Sequence, residues 1–104
     1  FLAPDVPKTG GIAETKKIAD MAEAYYQTLV PHNIGSPVAT VATAHVGATV
    51  PNFYGLEYHA REVGWWEDLV VGEDLIQDGT MTVPDKPGLG IELDWDVVEA
   101  HRTE

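Results

Sequence analysis

"TLVPHNIGSP", residues 28–37, decides the fold. Thr28-Leu29-Val30 is a short β-type run that stops at Pro31; His32 and Asn33 follow at once, and Gly35-Ser36-Pro37 has the form of a helix start. A strand this short and apolar, reached straight from a helical stretch, reads as one strand of a parallel sheet covered by helices. Ser36 is expected to cap the next helix, with Pro37 at its first position, where the missing N–H costs nothing. The question is why an imidazole stands where the strand gives way to the loop.

Working outward, "FLAPD" (residues 1–5) reads as a strand end. Pro4 and Pro7 cannot donate inside a central strand, so the strand is expected to stop by Asp5. Gly10-Gly11 reads as a flexible lead-in to "IAETKKIADMAEAYY" (12–26), the clearest helical stretch. Ile18, Met21, Ala22 and Tyr25 recur at helical spacing on one face, and Glu14 lies in the first turn, where it suits the helix dipole. "VATVATAHVGATV" (38–50) carries β-branched residues that favour a strand. Its many small residues suit a helix lying close against a sheet, and helix is preferred. "PNFYGLEYH" (51–59) reads as a third strand, carrying Glu57. The order strand, helix, strand, helix, strand gives an α/β fold with a parallel sheet. Beyond it, "LIQDGTMTV" (75–83) reads as a hairpin about Asp78-Gly79, "PDKPGLG" as a turn-rich connector, and Asp94 or Asp96 as the cap of a short terminal helix ending "DVVEAH".

The 104 residues are 44% hydrophobic, enough for one modest core. The chain begins at Phe1 and is expected to be a piece of a longer one. Seventeen Asp and Glu against six Lys and Arg give a net charge of -11. That balance argues against nucleic acid and anionic membrane surfaces as partners. The acid is spread along the chain while apolar periodicity persists, as expected of a folded acidic surface and not of a disordered tail. An even, lysine-poor acidity suits strong salt, so either a halophilic source or an ordinary acidic protein is expected. No cysteine is present, which excludes disulfides and thiolate metal sites. No signal-peptide pattern or membrane-length apolar run occurs, so the expected location is cytoplasmic.

Asp5, His32 and Glu57 each fall at the C-terminal end of an expected strand, the end where parallel α/β sheets bind ligands. A neutral histidine is a general base near pH 7, and a carboxylate on the next strand can fix its tautomer by accepting from one ring nitrogen. Positions 5, 32 and 57 are each about one strand-helix-strand step apart. Singly, each has a plainer explanation: Asp5 satisfying backbone amides by the Gly-Gly turn, His32 as a loop residue, Glu57 as a solvated acid. The shared address is what favours a site. His45 reads as packed or capping, His59 as a minor candidate for the pocket, and His101 as exposed. Trp65-Trp66 reads as an anchor on a hydrophobic neighbour or, less readily, a lid over a sugar-sized pocket. No HExxH or close His cluster supports a zinc hydrolase.

"PDVPKTGGIAETKKIADMAEAY", "VPHNIGSPVAT", "PNFYGLEYH" and "DGTMTVPDKPGLGIELD" together resemble the C-terminal part of the enolase superfamily. The similarity is to its mandelate racemase branch, and within that to sugar-acid dehydratases acting on gluconate or galactonate. The D-x-x-K-x-G-G element beginning at Asp5, the later P-H-N and the V-P-x-x-P-G-L-G of residues 83–90 carry it. The resemblance implies about the last three strand-helix units of a modified TIM barrel over residues 1–74, and a tail, 75–104, returning towards a capping domain. It implies Asp5 and His32 as a catalytic dyad, and Glu57 and Asn33 as residues that meet the substrate. It further implies a hydro-lyase of small sugar acids that uses magnesium, with the metal ligands on strands upstream of Phe1 and none in this chain. The partners implied are the rest of the parent chain and further copies in a homo-oligomer. The piece alone would then be inactive. A racemase or epimerase of the same superfamily would share the first proton abstraction, and a non-catalytic acidic α/β module is the rival outside it.

The acidic surface generates the first test. In the protein carrying this chain, the thermal midpoint is expected to rise from low to molar KCl as repulsion among carboxylates is screened. A midpoint that stays fixed or falls would contradict adaptation to salt.

Overall fold

The computed structural model describes residues 1–58 and 63–103. Three extended segments form the centre. Leu29 is bridged in parallel to Leu2 on one side and to Phe53 on the other. The rungs are regular. Leu2 N–H donates to Thr28 O (2.9 Å), Val30 N–H to Leu2 O (2.9 Å) and His32 N–H to Pro4 O (3.1 Å). On the far side Leu29 N–H donates to Asn52 O (2.9 Å), Tyr54 N–H to Leu29 O (3.0 Å) and Glu57 N–H to Pro31 O (3.2 Å). Both prolines lack an N–H, but each still accepts through its carbonyl. They therefore form the last rungs, directly beside His32 and Glu57.

A four-residue helix that the sequence reading did not anticipate, α1 (Val6–Thr9), follows the first segment. Asp5 is its N-cap, accepting from Lys8 N–H through its side chain. Gly10 and Gly11 sit at φ 104° and 98°, a left-handed turn that glycine adopts without a Cβ penalty. They form a fixed bend, not a flexible lead-in: Gly11 N–H returns to Val6 O at 2.9 Å.

The expected first long helix is present as α2 (Ile12–Ala24). Its buried face differs from the expected one. Thr15, Ala19 and Ala22 face inward, whereas Met21 and Tyr25 are 68% and 74% exposed. The small side chains win because they let α2 lie close on the sheet, with Ala19 packed among Leu29, Val50 and Phe53. α3 (Pro37–Gly47) is helical as preferred and buried from Ala39 to Ala44. Its threonines are tolerated because Thr43 Oγ1 donates to Ala39 O at 2.8 Å within the helix. Ser36 occupies the N-cap and Pro37 the first turn, but the serine side chain makes no capping bond.

The third unit, expected as a strand followed by a helix, lies partly outside the described residues. Among the described residues up to 74, a 3₁₀ turn, Glu67–Leu69, follows the third segment. The Asp78-Gly79 hairpin is a single antiparallel bridge, Gln77 to Thr80, with both turn residues at positive φ. Asp94 caps α4 (Trp95–Ala100), accepting from the N–H groups of Asp96 and Val97. The tail is tied back to the body. Val70 and Leu93 form an antiparallel bridge, Leu89 packs on Val6, Ala42 and Val46, and half-buried His45 shares a 3.0 Å hydrogen bond with Leu89 O. Because that partner is a carbonyl, Nε2 of His45 is the donor.

At Gly47 α3 comes close to the third segment: a Cβ there would lie 2.8 Å from the Phe53 ring. Replacing glycine by alanine within a helix ordinarily gains up to about 1 kcal/mol. Gly47→Ala is nevertheless expected to lose about 1–3 kcal/mol in a denaturant titration, through overpacking. Adding Phe53→Leu should recover part of the loss. A stabilised Gly47→Ala would contradict the contact.

Candidate active site

The ladder delivers Asp5, His32 and Glu57 to one end of the three segments. Asp5 Oδ2 lies 2.7 Å from His32 Nδ1. The carboxylate accepts, so Nδ1 carries the proton and Nε2 presents its lone pair. Nε2 lies 3.8 Å from Glu57 Oε2, too far for a hydrogen bond, and both side chains keep contact with solvent at 34% and 41% exposure. The two groups thus face a common accessible space, with Asp5 behind the imidazole, only 8% exposed.

Burial is the largest single influence on Asp5 and pushes its pKa up. The hydrogen bond with His32, the nearby Lys8 charge and the Lys8 hydrogen bonds together outweigh it and hold the carboxyl below its ordinary value of 3.8. Lys8 Nζ stands 3.5 Å from Asp5 Oδ2 and Lys8 N–H reaches Oδ1 at 3.2 Å. The Lys8 contacts follow from α1, and sequence reading missed both. The Asp-x-Pro pattern at residues 5–7 was the available signal of a capped helix start.

Asn33, expected to meet the substrate, makes two hydrogen bonds at this end. Its backbone N–H donates to Glu57 Oε2 at 3.2 Å. Its carboxamide, in a residue only 4% exposed, donates to Thr40 Oγ1 at 2.9 Å. Asn33 and Thr40 also line a cleft beside the site, with Tyr58 and Trp66 among its walls. The tryptophan pair divides its roles. Trp66 lines the cleft, while Trp65 stacks on exposed His101 with ring centroids 4.2 Å apart. His59 lies outside the described residues. Among the described residues, no group of three or more His, Asp or Glu side chains could hold a metal ion.

Comparison with known proteins finds relatives along the whole chain. Residues 1–97 match the family described as enolase C-terminal domain-like. A D-xylonate dehydratase of Haloferax volcanii is 55% identical over 104 residues, covering 100% of this chain and 25% of that protein. A D-galactonate dehydratase of Xanthomonas axonopodis pv. citri is 36% identical over 105 residues, covering 95% and 28%. The crystal structure of a mandelate racemase/muconate lactonizing enzyme-like protein from Rubrobacter xylanophilus superposes with a TM-score of 0.93 at 48% identity, covering 100% of this chain and 27% of that one. The chain therefore spans about a quarter of the length of the relatives it matches. A histidine backed by a buried carboxylate at the end of a parallel ladder, and a family match over nearly the whole length, lead to one conclusion: the chain belongs to the enolase C-terminal domain-like family.

Proposed function

We propose that this chain supplies the proton-abstracting end of a sugar-acid dehydratase barrel, as about its last three strand-helix units. The observation that carries the proposal is the 2.7 Å bond between Asp5 Oδ2 and His32 Nδ1, which leaves Nε2 free to accept a proton. The names of the relatives, dehydratases of D-xylonate and D-galactonate, supply the substrate class.

In this reading His32 Nε2 takes the proton from C2 of the acid. The C2–H electron pair moves toward the carboxyl group and gives an enediolate. Imidazolium formed in that step is stabilised by Asp5, which stays ionised. The C3–O bond then breaks as the electrons return, and the departing hydroxyl takes the proton held on His32, or one from a histidine elsewhere in the full-length protein, and leaves as water. The enol product rearranges to a 2-keto-3-deoxy acid. Glu57 faces the space beside Nε2 and hydrogen-bonds the substrate carboxyl end. Two carboxyl groups share a hydrogen bond only when one of them holds a proton. The magnesium ion that the resemblance implies would be held by residues outside this chain. A racemase would begin with the same abstraction; the relatives' names favour dehydration.

The direct test is to incubate the full-length protein with gluconate, galactonate and xylonate and identify the product. A 2-keto-3-deoxy acid from at least one of them is expected. Inversion at C2 without loss of water would replace this reading by a racemase, and no reaction with any would remove it.

The Asp5–His32 pair generates a second expectation. A carboxyl held below 3.8 contributes stability that is complete above its unfolded value and is lost as pH falls through its folded value. The Asp5 side-chain carboxyl carbon should therefore titrate by NMR with a midpoint below 3.8, moving up in Lys8→Ala. Asp5→Asn should lower kcat by about 10²–10⁴-fold, because an amide does not stabilise the imidazolium as a carboxylate does. A midpoint at or above 3.8, or near-normal kcat in Asp5→Asn, would contradict the pairing.

A further inference from the structure

The ladder that holds the site ends at His32 and Glu57, whose N–H groups meet Pro4 O and Pro31 O. Past His32 the chain leaves the sheet and crosses to α3 through residues 33–36, so the rungs no longer fix it. Two bonds take over. Asn33 N–H donates to Glu57 Oε2 at 3.2 Å, and Asn33 Nδ2 donates to Thr40 Oγ1 at 2.9 Å. The Thr40 hydroxyl passes its own proton to Ser36 O, at 3.4 Å. Thr40 is 3% exposed and sits one turn into α3, a helix buried along most of its length.

We propose that Asn33 and Thr40 are a positioning pair for the reaction. This rests on the dehydratase reading, and it assigns Asn33 a role behind Glu57 instead of on the substrate. The two-residue segment His32-Asn33 is held at one end through His32 N–H by Pro4 O and at the other, through the Asn33 carboxamide, by a helix buried along most of its length. That segment carries both functional contacts: the imidazole leaves from His32, and the N–H that aims Glu57 belongs to Asn33. With Thr40 Oγ1 removed, the Asn33 carboxamide keeps its burial and loses its partner, so the segment turns to find another. Glu57 then loses the donor that sets its distance from Nε2. Misplacement of about 1 Å by a residue away from the chemistry can cost about 10²-fold in rate. The two side chains hydrogen-bond each other and not His32, so their loss should act on turnover more than on affinity.

The experiment uses the full-length protein with Thr40→Val, which keeps the branched shape and removes the hydroxyl, and Thr40→Ser, which keeps the hydroxyl. Thr40→Val is expected to lower kcat about tenfold or more with KM changed less than about threefold, and Thr40→Ser to stay within about threefold of the parent. Hydrogen exchange of the Asn33 backbone amide supplies a measure independent of turnover. It should be faster in Thr40→Val than in the parent or Thr40→Ser, with the thermal midpoint largely kept. If the protein dehydrates no sugar acid, the exchange result still decides the pair, and the functional reading falls alone. Parent-like kcat with parent-like exchange in Thr40→Val overturns the proposal, as does a serine variant as impaired as the valine. Should Thr40→Val not fold, Asn33→Ala leaves the Thr40 hydroxyl on Ser36 O and is expected to show the same loss of kcat. Failure of both to fold makes the pair a structural brace and overturns the positioning role.

Discussion

Everything in this chain depends on the parallel register through Leu29. That residue is fully buried and bridged on both sides, to Leu2 and to Phe53. Side chains alternate along a strand, so a slip of one residue would turn each functional side chain to the opposite face. The last rungs, His32 to Pro4 and Glu57 to Pro31, lie one residue from the chemistry they support. A buried Asp5 and a half-exposed His32 meet at 2.7 Å because two backbones are locked in step, not because either side chain reaches far.

The helices keep that register by close approach. α2 offers Ala19 and Ala22, and α3 offers a run of small residues ending at Gly47, against which the Phe53 ring lies. Charge is managed locally within a chain of net -11. A buried carboxylate surrounded by other acids would be driven to take up a proton. Asp5 escapes this because α1, which it caps, brings Lys8 back beside it, and because His32 bonds to it. The same aspartate thus starts a helix, receives a cation and orients an imidazole. A halophile relative is among the sugar-acid dehydratases that the chain resembles.

Much of this was legible in the sequence, for physical reasons. Strand ends are marked by proline and by the abrupt change from apolar to polar side chains, so Asp5, His32 and Glu57 could be placed at one end before any contact was known. The small residues of 38–50 outweighed their β-branched neighbours because close packing rewards them, and the helix formed. What was not legible depends on partners distant in sequence. The buried face of α2 is set by what fits against Leu29, not by where Met21 and Tyr25 fall. Four-residue α1 has too little periodicity to announce itself beyond its cap. Where a helix was expected after the third segment, the described residues up to 74 hold a 3₁₀ turn. Thr40 carried no signal, because its meaning lies in a carboxamide seven positions away on the other side of a loop.

The central claim is that His32, oriented by Asp5, is the base. The most direct measurement is exchange of the substrate C2 proton with solvent deuterium in the full-length protein carrying His32→Asn. This substitution keeps a polar side chain of similar reach and removes the basic nitrogen. The account predicts that the variant folds and binds the acid, yet loses C2 exchange and dehydration together, by about 10²-fold or more. Exchange at close to the parent rate would assign the base to another residue and contradict the account.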